Sequence, residues 1–162
     1  NINYGDIGNT YVVDACNGVG GNVEWANEDS FYRRSFCPRF IKATTEEAYY
    51  NFFVLEDIHP DFIHIDAGHS FEDVKRDFEL YSNILSEHGV ITLHDTDLNY
   101  ARSIVPDNEH WDSFEGPGLF IKELQKSGAW DVINLCNFGI LKDKPSSTGL
   151  AIVKRHESSS SL

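Results

Sequence analysis

Four side chains capable of acid–base chemistry stand in two pairs along the chain. Asp66 and His69 form the first pair, and His94 and Asp95 form the second. Each pair follows a short apolar run of the kind that forms a buried strand. An imidazole with its ordinary pKa near neutrality can accept a proton from a reacting group. Asp66 alone could simply cap a following helix, but the four residues together favour a functional site.

The elements that must position these pairs read as strand, helix and strand. Phe62 to Ile65 is apolar and ends on Asp66, and Val90 to Leu93 is apolar and ends on His94. The stretch 70–85 between them has helical periodicity. Its apolar face consists of Phe71, Val74, Phe78, Tyr81 and Leu85. Two buried strands joined by a helical crossover are parallel, so both pairs should lie at the carboxyl edge of one sheet. Open α/β sheets bind their ligands at that edge.

Capping signals set the predicted helix boundaries. Ser70, with an aspartate three positions later, resembles a capping box, and Gly89 stands where a helix terminator belongs. Thr44, with a glutamate three positions later, opens a second predicted helix that runs to about Val54. His64 alternates with apolar neighbours inside its strand and is predicted to be a buried structural residue.

The rest of the chain supplies further strands and one more helix. Strands are predicted at Tyr11–Val13, which ends on Asp14, and at 39–43. A helix over Leu119–Lys126 is closed by Gly128. Two last strands, at 130–136 and 149–154, are joined by a turn around Lys144-Pro145 and should be antiparallel. We therefore predict an α/β fold: a Rossmann-like doubly wound sheet, mostly parallel, with a C-terminal antiparallel hairpin.

One long connection stands out in this arrangement. From Thr96 to Pro117 the sequence is polar and predicted to be irregular, and connections of that length in compact domains are often functional. Trp111 and Phe114 inside it could line a substrate pocket or fill the core beneath the loop.

Composition narrows the classes of protein. The 162 residues suffice for one α/β domain, placed at 1–155, with a disordered serine-rich tail at 156–162. A net charge of −13 argues against nucleic acid or an anionic membrane as partner. Cys16, Cys37 and Cys136 suit a reduced, cytoplasmic protein better than a disulfide framework. A homo-oligomer is compatible with these features.

The two ends of the chain carry their own expectations. There is no signal peptide, and no apolar run approaches the roughly 20 residues of a membrane helix. Methionine is absent and the chain begins with Asn1, which predicts a fragment, a processed form or an incomplete N-terminus.

The run IDAGHSFEDVKRDFELYSNILSEHGVITLHDTD resembles class I S-adenosylmethionine-dependent methyltransferases. Within that class it is similar to the group of macrocin-type sugar O-methyltransferases and cephalosporin-hydroxylase-like proteins. The segments GPGLFIKELQKSGAWDVINL and TGLAIVKR fit the last helix and terminal hairpin of that fold. The resemblance covers Tyr11 to Arg155 and is strongest from Asp61 to Asp95.

The resemblance implies roles for individual residues. Asp14 matches the acid that holds the cofactor ribose, and Thr44 and Thr45 match positions that border the adenine. Asp66 and Ala67 also fall among the implied S-adenosylmethionine-binding positions. The implied ligands of a divalent metal, with magnesium expected, are Asp66, His94 and Asp95. His69 matches the general base. Relatives often carry an acid at the position of His94, and imidazole favours transition metals over magnesium.

The chemistry of such a site is coherent. Methyl transfer to oxygen needs a nucleophile that is deprotonated near neutral pH. A divalent cation lowers the pKa of a bound hydroxyl, and a histidine accepts the proton. The sequence thus predicts a metal-assisted O-methyltransferase acting on a small hydroxylated molecule, a sugar or a natural product. The alternatives are a non-catalytic or truncated Rossmann-like domain for binding or assembly, and a hydroxylase-like relative, since a shared fold does not settle chemistry.

The glycine-rich first motif of the family has two possible locations. It is expected immediately before Asn1, so that Asp14 ends the second strand of the fold. Alternatively, VVDACNGVGGNVEWA is itself that motif, with Gly18, Gly20 and Gly21 after the strand. Such a pattern is weak alone, and the distance from Asp14 to Asp66 favours the first interpretation.

Overall fold

The computed structural model describes residues 9–15, 38–104, 112–136, 140–141, 144–145 and 148–156. The chain divides into two compact units, Asn1–Asp57 and Ile58–Leu162. Some predictions lie outside the described residues, namely those for the glycine-rich stretch 17–36, for Trp111 and for the tail after His156.

The first unit contains a parallel pair of strands and a helical segment. β1 (Tyr11–Val13) pairs in parallel with β2 (Arg39–Ile41). α1 (Thr45–Ala48) follows and continues as a π-helical stretch, Tyr49–Phe53. The strand and helix predicted here are therefore both present, although β2 ends two residues earlier than expected.

The predicted capping box at the start of α1 is confirmed. The Thr44 N–H donates to Glu47 Oε2 at 3.0 Å, and Thr44 Oγ1 accepts from the Glu47 N–H at 3.2 Å. The ring of Tyr11 lies 5.5 Å from those of Phe52 and Phe53, so aromatic contacts pack the helical stretch against β1.

The second unit is built on a four-stranded mixed sheet. Its strands are β3 (Phe62–Ile65), β4 (Val90–His94), β5 (Trp130–Leu135) and β8 (Leu150–Arg155). Between β5 and β8 in the sequence, β6 (Ile140–Leu141) and β7 (Lys144–Pro145) pair with each other in a separate short ladder. The order is β3-β4-β8-β5. β3 and β4 are parallel, whereas β8 is antiparallel to both of its neighbours. The predicted α/β fold with a C-terminal antiparallel pair is confirmed.

In the part of the second unit that the structure describes, three helices accompany this sheet: α2 (Phe71–Ile84), α3 (Leu98–Ile104) and α4 (Asp112–Ser127). α2 and α4 pack on the same sheet face, where the rings of Phe78 and Phe120 meet with centroids 5.2 Å apart. The core that they close consists of Ile65, Val74, Phe78, Leu85, Ile91, Leu93, Phe120, Ile121, Leu124, Ala151 and Val153. Over the described ranges, no helix is long and apolar enough to cross a membrane.

The start of α2 is as predicted and its end at Ile84 lies one residue before the predicted end, but Gly89 is not its terminator. Ser70 Oγ accepts from the Asp73 N–H at 3.1 Å, while the Asp73 carboxylate accepts from the Ser70 hydroxyl at 2.7 Å. Gly89 does not end the helix: Leu85 turns out of helical geometry to bury its side chain, and the Gly89 N–H donates to the Ser86 carbonyl in a separate turn.

The prediction of an irregular connection from Thr96 to Pro117 is wrong for the described part of that segment. α3 begins directly after Asp97, whose Oδ1 accepts from the main-chain N–H groups of Asn99 at 2.9 Å and Tyr100 at 3.3 Å. The aspartate thus caps a helix, which is a common role for this residue type. α4 begins at Asp112, seven residues before the predicted start at Leu119.

The first turns of α4 contain two glycines that pack closely against neighbouring segments, which the sequence alone does not indicate. Gly116-Pro117-Gly118 suggests a helix breaker, yet it lies inside the helix. A Cβ on Gly116 would stand 2.2 Å from the main-chain oxygen of His69, and one on Gly118 would stand 2.7 Å from the Leu98 side chain. The glycines therefore allow α4 to approach the 69–71 segment and α3 closely.

His64 is also placed differently from the prediction. It is exposed, and its Nδ1 lies 2.9 Å from Thr92 Oγ1 on the neighbouring strand. Ile63 and Ile65 belong to the face covered by α2 and α4, so His64 lies on the opposite face of β3.

Replacing Gly116 by alanine tests the close approach of α4. An exposed helical glycine gains about 1 kcal/mol from such a change, but here the new methyl group meets the His69 main chain. We expect Gly116→Ala to lower the free energy of unfolding by about 1–3 kcal/mol, measured by urea denaturation.

The matched control is the exposed Gln125 on the same helix. Gln125→Ala should change stability by less than about 0.5 kcal/mol. Stabilisation by Gly116→Ala would contradict the packing described.

Candidate active site at the carboxyl edge of the sheet

The parallel pairing of β3 with β4 brings the two acid–base pairs together. Ile65 is paired with Leu93, so the residues that follow each strand emerge side by side. His94 Nδ1 lies 3.5 Å from Asp66 Oδ1 and 3.1 Å from Asp95 Oδ1. The juxtaposition expected from the strand–helix–strand pattern is therefore present in the structure.

His69 completes the cluster from the loop between β3 and α2. Its Nε2 lies 3.2 Å from Asp95 Oδ2 and 3.6 Å from Asp66 Oδ1. The side chain is 28% exposed, so a solute can reach the imidazole. Two carboxylates and two imidazoles thus share one half-buried edge.

These groups shift each other's protonation. Contact with His69 is the main reason that the pKa of Asp66 is held below its ordinary value, against the opposing effect of burial. In return, contact with Asp66 raises the pKa of His69, burial lowers it, and the charge of Asp95 adds to the increase. An ion pair between Asp66 and protonated His69 is the electrostatic consequence.

His94 is held from the other side of its ring. Its Nε2 lies 3.0 Å from the hydroxyl of Thr148, which precedes β8. Its Nδ1 is buried and has no hydrogen-bond partner among the described residues, although it faces the carboxylates of Asp66 and Asp95. Buried polar atoms without such partners are uncommon, and a bound water, a bound ion or a catalytic role can explain them.

The backbone around the cluster is unusual at one position. Asp95 has a φ of 56°, a left-handed conformation that costs a non-glycine residue of order 1 kcal/mol or more. This conformation follows immediately after β4 and accompanies the contacts from Asp95 to His94 and His69. Strained backbone of this kind clusters at functional sites.

α4 supplies the remaining wall. The ring of Phe114 lies 5.8 Å from that of His69 and is 41% exposed. At the next residue, Glu115, both carboxylate oxygens accept from Arg102 on α3 at 2.9 Å, which ties the first turn of α4 to α3. The phenyl ring is therefore held beside the acid–base cluster, where it is accessible to a bound molecule.

The spacing of the donor atoms fits a single divalent cation. Ligand atoms of Asp66, His69 and Asp95 all lie within 4.8 Å of one another. Adjacent ligands of an octahedral ion stand about 3 Å apart when the bonds are about 2.1 Å. The unpartnered Nδ1 of His94, at 3.1 Å and 3.5 Å from the two carboxylates, is close to that spacing.

The other predicted site residues are placed as follows. Asp14 directly follows β1, and Thr44 and Thr45 begin the helix after β2, so all three follow the carboxyl ends of the parallel pair in the first unit. Ala67 lies in the second unit and lines a small cavity with Asp66 and His69.

Sequence reasoning missed two contacts of this site. Thr148 carries no signal, because a lone threonine before a strand is unremarkable. Its proximity to His94 depends on the antiparallel pairing of β8 with β4, which places Leu150 opposite His94. Phe114 was noticed, but its ring contact with His69 depends on the early start of α4.

Comparison with known proteins identifies the class. A family described as a methyltransferase domain matches residues 3–96. Since this match covers more than half of the chain, the chain belongs to that methyltransferase family. The resemblance to class I S-adenosylmethionine-dependent methyltransferases is confirmed at the level of the class. No curated protein matches the chain in sequence.

Solved structures support the fold. A Staphylococcus aureus protein, provisionally named a caffeoyl-CoA O-methyltransferase, is 20% identical with a TM-score of 0.54, over 77% of this chain and 55% of that one. A SAH-bound methyltransferase from Podospora anserina is 18% identical with a TM-score of 0.46, over 78% and 52%. The chain thus spans about half the length of these structures, and the first comparison confirms a Rossmann-like methyltransferase fold.

The coupling between His69 and Asp66 predicts a pH dependence in the metal-free protein. Because the pKa of His69 is raised in the folded state, its protonation stabilises the fold. This contribution is fully present at pH values below the unfolded-state pKa of about 6.5 and is lost as pH rises through the folded-state pKa. Because the pKa of Asp66 is lowered in the folded state, its ionised carboxylate stabilises the fold at pH values above the unfolded-state pKa of about 4. This contribution is lost as pH falls through the folded-state pKa. We expect Asp66→Asn to destabilise most near pH 5–6, measured by urea unfolding with a chelator present.

An NMR titration provides the direct measurement. The imidazole resonances of His69 should titrate at lower pH in Asp66→Asn than in the wild type, because the main charge partner is gone. Glu87→Gln, an exposed change in a turn, is the control and should leave the titration where it is. An unchanged His69 titration in Asp66→Asn would refute the coupling.

Proposed function

We propose that the protein is an S-adenosylmethionine-dependent O-methyltransferase, assisted by a divalent metal, that acts on a small hydroxylated molecule such as a sugar or natural product. The observation that carries the proposal is the convergence of Asp66, His69, His94 and Asp95 at one sheet edge. Membership of a methyltransferase family supplies the reaction type. The acceptor class and the metal are proposed from the geometry of the site.

The carboxylates of Asp66 and Asp95, with His94 Nδ1, are the proposed metal ligands. Their support is the donor spacing and the fact that no described residue forms a hydrogen bond with that buried nitrogen. When bound, a divalent cation lowers the pKa of an acceptor hydroxyl and holds it for transfer. Two oxygen ligands suit magnesium, whereas the imidazole shifts preference towards manganese, cobalt or zinc.

His69 is the proposed general base. It is partly exposed, it stands beside the carboxylates and it belongs to a loop at the sheet edge rather than to a strand. Asp66 and Asp95 on either side would stabilise the imidazolium that forms when Nε2 accepts a proton. The same nitrogen is close enough to the carboxylates to be a fourth metal ligand, so the two roles need separate tests.

The proposed cofactor-binding residues are those that the family resemblance implies, taken for each unit by itself. Bound S-adenosylmethionine would supply the methyl group. Asp14 would accept hydrogen bonds from its ribose hydroxyls, a geometry that suits a carboxylate. Thr44 and Thr45 would border the adenine, and Asp66 and Ala67 are also proposed S-adenosylmethionine-binding positions. Support for these roles comes from the match to the methyltransferase family over residues 3–96.

Phe114 is the proposed wall for the acceptor. Its half-exposed ring beside His69 offers an apolar face on which a sugar or an aromatic ring can stack. A hydroxyl on such a molecule would then lie close to the imidazole. This arrangement favours a small acceptor over a polymer.

The primary test is isothermal titration of S-adenosylhomocysteine and, separately, of Mg²⁺ and Mn²⁺ into the protein. We expect micromolar cofactor binding, and loss of more than about tenfold in metal affinity in Asp66→Asn and Asp95→Asn, because each removes a charged ligand. Glu87→Gln is the control for lost negative charge. A folded chain that binds no cofactor would leave the alternative, a binding or assembly domain without catalysis.

A second prediction separates the base from the ligands. His69→Ala should leave Mn²⁺ affinity within about threefold, while His94→Ala should weaken it by more than about tenfold. With an acceptor found in a panel of hydroxylated sugars and phenols, His69→Ala should lower kcat by about 10²–10⁴. Loss of metal affinity in His69→Ala would instead make His69 a ligand and reject its assignment as base.

A further inference from the structure

Thr148 has no assigned role, yet its hydroxyl contacts the far side of the His94 ring. Thr148 Oγ1 and His94 Nε2 are 3.0 Å apart, although the residues are 54 positions apart in the sequence. We propose that Thr148 is a positioning residue that fixes the ring plane of His94, so that Nδ1 faces Asp66 and Asp95. The consequence for metal binding rests on the proposed function; the consequence for the imidazole does not.

The main chain anchors Thr148 to the segment that carries the site. The Thr148 carbonyl accepts from the Asp97 N–H at 2.9 Å, two residues after Asp95. The following residue, Gly149, has a φ of 88°, and a Cβ there would stand 2.4 Å from the Asp97 nitrogen. Only glycine adopts that conformation without strain at so close an approach. Thr148 is thus fixed relative to His94 independently of its own side chain.

The hydrogen bonds of the His94 ring explain why the contact with Thr148 matters for the site. Among the described residues, His94 Nε2 is bonded to the Thr148 hydroxyl, and Nδ1 has no hydrogen bond. A hydroxyl can donate or accept, so Thr148 can hold the ring in either tautomer. When Nδ1 binds a cation, the ring proton is on Nε2, and the Thr148 hydroxyl can accept a hydrogen bond from it. Partners of this type usually orient histidine ligands, and their loss costs about 10–100-fold in metal affinity.

Valine is the substitution that isolates the hydroxyl. Thr148→Val has nearly the same shape and keeps the main-chain bond to Asp97, so the loop retains its anchor. Thr148→Ser restores the hydroxyl. The matched control is Thr92→Val. Thr92 lies on β4, two residues before His94, but its hydroxyl contacts His64 and not His94. Urea unfolding of each variant verifies that it is folded.

The first measurement needs no metal. Nuclear Overhauser contacts of the His94 ring protons report how the ring is oriented. We expect one set of ring contacts in the wild type, Thr148→Ser and Thr92→Val, and averaged contacts from more than one ring orientation in Thr148→Val. An unchanged ring orientation in folded Thr148→Val overturns the proposal.

The second measurement is Mn²⁺ affinity by calorimetry. Thr148→Val should bind Mn²⁺ about 10–100-fold more weakly, with Thr148→Ser and Thr92→Val within about threefold of the wild type. In a His94→Ala background, Thr148→Val should cause no further loss. The same loss in that background would show a merely structural role and overturn the inference. If the wild type binds no Mn²⁺, the metal part of the proposed function fails, and the NMR result alone decides the role of Thr148.

Discussion

The pairing of β3 with β4 is the constraint on which the rest of this site depends. Because the strands are parallel and in register from Phe62↔Val90 to Ile65↔Leu93, their carboxyl ends coincide. A register shift of one residue would turn the alternate side chains to the other face and separate the groups that now lie about 3 Å apart. The register is specified by burial: Ile91 and Leu93 are almost fully inaccessible beneath α2 and α4. The chemistry at the edge is therefore set by apolar packing behind it.

The edge that results has an electrostatic imbalance. Asp66 and Asp95 stand close together, and the groups that lower the pKa of Asp66 are all imidazoles, which carry charge only when protonated. Imidazoles are largely neutral near pH 7 unless a partner raises their pKa, as Asp66 does for His69. Two carboxylates compensated in this way are a favourable environment for a cation or for a proton released by a substrate. Within the described residues, the buried Nδ1 of His94 that has no hydrogen bond and the left-handed backbone of Asp95 both belong to this cluster.

The sequence predicted the local part of this arrangement and not its long-range part. The bounds of β3, the start of α2 and the juxtaposition of Asp66 with His94 follow from periodicity and from the handedness of a helical crossover. The start of α4 did not, because Gly116 and Gly118 look like breakers until the close contacts with His69 and Leu98 are known. His64 was expected to be buried, because its apolar neighbours indicate a strand but not which face is covered. Tertiary contacts decided each of these points.

The site is assembled from two parts of the chain that are distant in sequence. The β3–α2–β4 stretch contains Asp66, His69, His94 and Asp95 and is held by contacts between neighbouring elements, which form quickly because the loops to be closed are short. The hydroxyl that contacts His94 arrives only when β8 inserts between β4 and β5, a pairing of segments distant in sequence. The turn at Gly149 then locks Thr148 against Asp97. The carboxylates are therefore placed by contacts that are local in the sequence, whereas the imidazole of His94 is held by a contact from the C-terminal strand pair.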